Sequence, residues 1–214
     1  MIVVSDLMGT LTTGSPVLGL VDWVRHQQSK WQADLYTASI MPGYVVAKLG
    51  WIDWQKWGQD LMIESLRMVK DADSEKMRRV GEWAVEHNLW EKRREDVVAR
   101  LLGHAEQGAQ VYIASSVIEP LIEPFARRLG AQTIGTPVEY HAGRVRLAGE
   151  LAAQERKIEQ VLSRLDVEQV DTAYGDTWMD IPLLEHARHP VAVYPDAKLK
   201  AAALERGWEI MGER

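Results

Sequence analysis

Four short pieces of this chain end in residue types that hold metal ions or phosphate. Ile2-Val3-Val4-Ser5 runs into Asp6 and then into a Gly9-Thr10 turn, and Gln110 to Ala114 runs into Ser115-Ser116. Lys157 lies in a charged amphipathic stretch, and Asp171 to Tyr174 runs into Gly175-Asp176, with Asp180 one helical turn further on. Two or three carboxylates brought together suit Mg²⁺, a hard cation that prefers oxygen and works beside substrate phosphate. A serine hydroxyl and a lysine ammonium hold the remaining phosphate oxygens. Backbone amides at Gly9 and Thr10 add donors, because a tight turn points successive N–H groups one way. A carboxylate facing such a phosphate is an in-line nucleophile that forms an aspartyl-phosphate. Phosphoryl transfer asks mainly for positioning and charge neutralisation, which this set supplies.

Taken singly, each residue has a blander role. An aspartate after a strand is ordinarily a turn former. Ser115 or Ser116 reads as a helix N-cap, as does Asp180. A lysine on a charge-rich helix ordinarily sits in an exposed ion pair. The chemical reading therefore depends on elements that bring the four pieces to one place. The β-branched run Ile2–Ser5, bounded by a glycine turn, reads as a buried strand. That delivers Asp6 to the carboxyl end, where open α/β sheets place their ligands. Further strands are expected at Gln110–Ala114, Asp171–Tyr174 and Val191–Tyr194, with a last short one at Trp208–Ile210. Helices are expected at Leu121–Leu129 before Gly130, Ala152–Leu165, Ile181–Ala187 and Ala197–Arg206, and a hairpin over Val138–Leu147. Strands alternating with helices call for a parallel sheet with right-handed crossovers.

Between the first and second strands the pattern is helical from about Val17 to Leu102, with breaks expected at Pro42-Gly43 and Gly50. The expected architecture is α/β: a Rossmann-like core with a parallel sheet, residues 1–14 and 103–214, and an inserted all-helical cap, residues 15–102. The 214 residues suit one such domain, and 46% hydrophobic content fills a core. A net charge of -6 argues against a general nucleic-acid binder. With no cysteine, disulfides, thiolate chemistry and Cys-based zinc sites are excluded. The six histidines show no paired zinc spacing. The chain opens on a strand-like run rather than a signal peptide, and no run of 18 apolar residues occurs. A cytoplasmic protein is the expectation.

In motif order and spacing the chain resembles the haloacid dehalogenase superfamily, in its phosphoserine-phosphatase-like subfamily. The residues that carry the resemblance are DLMGTLT at 6–12, VYIASS at 111–116, ERKIEQVL at 155–162 and AYGDTWMD at 173–180, with the tail HPVAVYPDAKLKAAALERGW at 189–208. The resemblance spans about 130 residues outside the helical insert, which sits where that subfamily keeps its cap. It implies Asp6 as nucleophile and Mg²⁺ ligand, Ser115 and Lys157 as phosphate holders, Asp176 as metal ligand, and Asp180 acting on the metal directly or through water. The substrate class implied is a small phosphorylated metabolite.

Met8 departs from the pattern. The family's second aspartate stands at that position, offering its carbonyl to the metal and its side chain as general acid and then base. Methionine keeps the carbonyl and loses the proton transfer, a function worth about 10²–10⁴-fold. Three readings stay open: a phosphatase acting where the leaving group needs little protonation, or with an acid from elsewhere; an enzyme cleaving a phosphonate or carbon–halogen bond, for which Lys48, Lys56 and Lys70 are the cap lysines; or a phosphate-ligand binding protein. Ser15 stands where phosphoserine-cleaving relatives carry a cap glutamate, no cap arginine has a clear counterpart, and Met179 replaces an asparagine. Serine phosphate is therefore not the preferred substrate. Seven of the nine tryptophans (23, 31, 51, 54, 57, 83 and 90) fall in the helical insert. They read first as filling of a small bundle. The alternative is an apolar pocket wall or, with Ile40, Met41, Tyr44, Val45 and Val46, a patch that meets lipid, interrupted by Asp34, Lys48 and Asp53.

Overall fold

The first strand, β1 (Ile2–Ser5), is central because its side chains are buried on both faces: Val3 enters one apolar cluster and Val4 the other. In the computed structural model, residues 1–52 and 54–213 are described, without the side chains of Lys48, Trp54, Gln55 and Lys56. The expectations that rest on Lys48, Asp53, Trp54 and Lys56 lie outside the described set. Five helices follow β1: α1 (Pro16–Gln27), α2 (Lys30–Lys48), α3 (Trp54–Leu66), α4 (Ser74–Ala84) with a π-helical turn over Val85–Leu89, and α5 (Glu95–Glu106). Then come β2 (Gln110–Ile118), α6 (Glu119–Arg128), β3 (Gln132–Thr136), the hairpin β4 (Val138–His141) and β5 (Arg144–Leu147), and α7 (Glu155–Leu165). The chain closes with β6 (Val170–Gly175), a 3₁₀ turn at Trp178–Asp180, α8 (Ile181–Glu185), β7 (Ala187–Val193), α9 (Ala197–Arg206) and β8 (Glu209–Met211).

The main sheet has the order β3-β2-β1-β6-β7-β8, and every pairing in it is parallel. Its register positions the chemistry. Ser5 lies level with Ile113 of β2 and Tyr174 of β6. The residues just beyond these three, Asp6, Ser115 and Asp176, therefore leave the sheet at one edge. The Asp6 amide donates to the Tyr174 carbonyl at 2.9 Å, which fixes that edge at its centre.

Several boundaries differ from the sequence reading. α2 runs through Pro42 instead of breaking there. Pro42 and Ala38 are on the exposed side, so the Ala38 carbonyl that loses its N–H partner at 42 faces solvent and not the core, and the helix survives. β2 continues past Ala114 through both serines, with an irregular register between Ala114 and Ile118. β3 has no counterpart among the expected strands, because QTIGT carries a single large apolar residue. Its pairing with β2 makes it a strand. Ala187 belongs to β7, not to the helix before it.

The helical insert does not have a core of its own. Val17, Leu20, Met77 and Val80 share one buried cluster with Phe125 of α6 and Val3 of the sheet. α5 runs across residue 102, and its Val97, Val98 and Leu101 join the same cluster as Val111 and Ile113. α4 and α6 touch backbone to side: a Cβ added at Gly81 would lie 1.9 Å from the Pro120 carbonyl oxygen. Glycine to alanine inside a helix ordinarily stabilises by up to about 1 kcal/mol. Gly81→Ala is expected to do the reverse, costing about 1–3 kcal/mol through overpacking. A lower urea midpoint at unchanged slope is the reading that checks it.

The tryptophans divide. Trp23 is buried and Trp57, Trp83 and Trp90 pack on the main cluster, as filling requires. Trp83 is also fixed by its Nε1–H, which donates to Asp22 Oδ2 at 2.9 Å. Trp31 and Trp51 are exposed, 74% and 77%, so the filling role fails for these two. Trp51 precedes α3, which removes it from a helical stripe with Trp57. With Leu35, Met41, Val45 and Leu49, Trp31 forms an exposed apolar strip along α2. No helix among the described residues is long and apolar enough to cross a membrane.

Candidate active site

The sequence between β1 and α1 is folded back as a tight loop. Leu11 and Thr12 amides both return to the Leu7 carbonyl, at 2.9 and 3.1 Å, and the Thr12 hydroxyl donates to the Leu89 carbonyl at 2.6 Å. Gly9 sits at φ +84°, and an added Cβ would lie 2.0 Å from Asp176 Oδ2. Only glycine permits that approach. The Gly9 amide donates to the Thr12 carbonyl at 2.7 Å. It is thus used within the loop. Thr10 is fully buried, and its hydroxyl donates to Asp176 Oδ1 at 3.1 Å, so it orients that carboxylate.

Lys157 is in the first turn of α7 and only 5% exposed. Its Nζ donates to Asp6 Oδ1 and to Asp180 Oδ1, each at 2.7 Å. Asp180 uses its other oxygen on the loop, accepting from the Asp176 and Thr177 amides at 3.2 Å. It therefore closes the capping box that Thr177 begins, makes no side-chain N-cap bond to α8, and is a partner of the lysine. Asp6, Asp176 and Asp180 each present an oxygen within 4.8 Å of the others, and all three are buried. Burial pushes the Asp6 carboxyl up to about 6; Lys157 opposes this and Asp180 adds to it. For Lys157, burial lowers the ammonium's pKa, but Asp180 and Asp6 outweigh it and hold the amine above its ordinary value. One ammonium among three buried carboxylates leaves negative charge in excess, and the donors are all oxygen. That set fits a hard divalent cation.

A cavity of about 1160 Å³ opens over this cluster. Asp6, Met8, Gly9, Ser115, Ser116, Lys157, Asp176 and Asp180 all line it; Thr10 does not. The Ser115 hydroxyl also accepts from the Val117 amide at 3.4 Å, which turns it at the end of the regular strand. Ser15 lines the same cavity but serves as N-cap of α1, accepting from the Leu18 amide at 3.3 Å. Trp178 and Met179 also line it. Lys70 is exposed and outside this lining, so among the described residues no cap lysine reaches the cluster.

Arg94 is a site residue that the sequence reading missed. Its Nε donates to the Gly9 carbonyl at 2.8 Å, its guanidinium lies 3.8 Å from the centre of the Tyr194 ring, and it lines the cavity. No local signal marks it: it stands 85 residues from Gly9 in a run of charged residues.

Removing the amine tests how far this cluster is electrostatically coupled. Lys157→Met in chelator is expected to lower stability by about 3–5 kcal/mol, the cost of leaving buried charges without a partner. Denaturant titration at neutral pH measures it.

A phosphoserine phosphatase of Mycobacterium tuberculosis is 37% identical over 114 residues, covering 50% of this chain and 37% of that protein. This chain thus spans well under half the length of that relative. A protein of unknown function from Bordetella pertussis Tohama I superimposes with a TM-score of 0.78 at 20% identity, covering 99% of this chain and 97% of the other. A substrate-bound phosphoserine phosphatase superimposes with a TM-score of 0.60 at 17% identity, over 100% of this chain and 93% of the other. At these identities the structural likeness is one of fold. The family model for haloacid dehalogenase-like hydrolases matches residues 3–185, which include the entire carboxylate cluster, and the chain belongs to that family.

Proposed function

We propose that this protein is a Mg²⁺-dependent phosphatase that hydrolyses a small phosphomonoester through an aspartyl-phosphate on Asp6. The single observation that carries the reading is the Lys157 bridge between Asp6 and Asp180 at the floor of one cavity, with Asp176 alongside. Asp6 and Asp176, with the Met8 carbonyl, are the residues assigned to hold the ion, and Asp180 steadies the loop and the lysine. The ion, when bound, supplies positive charge opposite the phosphoryl oxygens. Lys157 and Ser115 hold the phosphate for attack. An Asp6 carboxylate oxygen attacks phosphorus, the phosphorus–oxygen ester bond breaks, and the alcohol oxygen departs with the electron pair. Water then attacks the aspartyl-phosphate, releasing inorganic phosphate and restoring the Asp6 carboxylate.

Met8 lines the cavity and is 40% exposed, so position 8 faces the reacting groups with a side chain that carries no proton. Activity is accordingly low, or dependent on the leaving group. The division into an α/β core and a helical cap belongs to this proposal, with the boundary drawn at residue 94 because α5 packs on the sheet. Closure of α2 and α3 over the cavity would exclude water from the reaction.

The test is phosphate release from 4-nitrophenyl phosphate with Mg²⁺ and with chelator. Release that requires the ion supports the reading. Binding of phosphate analogues with no turnover by any ester would make the chain a phosphate-ligand binding protein instead.

A further inference from the structure

The phosphatase reading leaves open what the phosphate is attached to, and two independent features of the cavity bear on that. The first is that position 8, on the loop after the nucleophile, offers no proton. Among the described lining residues there is no histidine, and every carboxylate is committed: Asp6, Asp176 and Asp180 form the acidic cluster, and Asp196 caps α9, accepting from the Leu199 amide at 2.8 Å. Met8 cannot donate. Tyr44 and Lys198 also line the cavity, Lys198 lying over the Trp178 ring at 5.0 Å, but neither stands on the nucleophile loop where Met8 does, so a departing oxygen that needs little protonation is favoured. An alkoxide leaves poorly without a proton. A phenolic oxygen leaves readily, since phenols such as the tyrosine side chain ionise near pH 10.

The second feature is the opposite wall. α1, α2 and α3 contribute Leu18, Ile40, Met41, Tyr44, Trp57 and Met62 to the cavity, with Thr37 and Gln59 as neutral polar members and no charged side chain among their described residues. The Tyr44 and Trp57 rings lie 6.4 Å apart on that wall. An amino-acid leaving group would set an ammonium and a carboxylate against apolar surface with no carboxylate left to pair the ammonium. An aromatic ring suits the wall, and the Met8 thioether beside the reacting oxygen would add a sulfur–aromatic contact.

We infer that the substrate is an aryl phosphate: the phosphate ester of an uncharged phenol whose ring packs against Leu18, Met41 and the Tyr44–Trp57 pair. This rests on the phosphatase reading and narrows it. In the first step the phosphorus–oxygen bond breaks with its electron pair on the phenolate oxygen, and the phosphoryl group is left on Asp6.

The experiment has a binding arm and a turnover arm, both with Mg²⁺. Calorimetry with phenylphosphonate and 2-aminoethylphosphonate, which are not hydrolysed at the ester position, reads the wall directly. Phenylphosphonate is expected to bind about tenfold or more tightly. Leu18→Glu and Met41→Glu, both at partly exposed positions that tolerate charge, are expected to lower the ratio of phenylphosphonate to orthophosphate affinity about tenfold. In the turnover arm, kcat/KM for phenyl phosphate is expected to exceed that for phosphoserine, glycerol phosphate and hexyl phosphate by about 10²-fold or more. Equal binding of the two phosphonates, or hexyl phosphate or phosphoserine turned over as fast as phenyl phosphate, overturns the aryl assignment and leaves the phosphatase reading in place. No phosphate from any of the esters overturns the phosphatase reading itself.

Discussion

Asp6→Asn is expected to abolish phosphate release, by on the order of 10⁴-fold or more, the scale seen when a catalytic nucleophile is removed. The same variant is expected to be more stable than the parent in chelator at neutral pH. Burial raises the Asp6 carboxyl from an ordinary value of 3.8 to about 6. A carboxyl whose folded pKa lies above its unfolded one disfavours folding when it is ionised, and asparagine removes that penalty. The gain should be full above pH 6 and fade as pH falls toward 4, where the parent's Asp6 protonates in the folded state. Thermal unfolding in chelator at pH 7 and pH 4 separates the two conditions. A destabilised Asp6→Asn at pH 7 would show that Asp6 serves to hold the core together through Lys157, not to carry a poised charge. Stability gained where activity is lost is the expected mark of a site built against its own folding free energy.

Met8→Asp is expected to raise turnover of alkyl phosphates by about 10²–10⁴-fold, because it restores a proton donor for the departing oxygen. The change should fold: Met8 is partly exposed, its backbone bridges Thr12, and no buried partner depends on its side chain. Aryl phosphates should gain far less in kcat/KM, since their first step needs no donor. The restored carboxylate should also act on the second step, where attacking water must lose a proton. In the parent chain that step is expected to limit turnover, and rapid quench with an aryl phosphate should show a burst approaching one phosphoryl group per chain. In Met8→Asp the burst should shrink. An unchanged rate on alkyl phosphates in a folded variant would show that proton supply is not what position 8 withholds.

The residue types at the centre of these predictions were legible without coordinates. Asp6, Ser115, Lys157, Asp176 and Asp180 stand out only as a set, because the motifs at 6–12, 111–116, 155–162 and 173–180 fall in one family's order, while each residue alone has a blander role. The helices α7 and α9 and the hairpin were legible too, since amphipathic period and glycine or aspartate boundaries are local signals. β3 was not, because QTIGT becomes a strand only by pairing with β2.

The sequence by itself determined the chemistry the chain can offer: hard oxygen donors, one buried-capable cation, a methionine where a proton donor would serve, and a helical insert rich in tryptophan. Tertiary structure alone decided how each is used. It turned Thr10 and the Gly9 amide inward to orient Asp176 and close the loop, brought Arg94 across 85 residues to the Gly9 carbonyl, and set a wall from α1, α2 and α3, uncharged among its described residues, over the carboxylates. The reason is physical. Periodicity and capping act over one or two helical turns, whereas the register of a parallel sheet and the packing of an insert on it join residues with no local relation to one another.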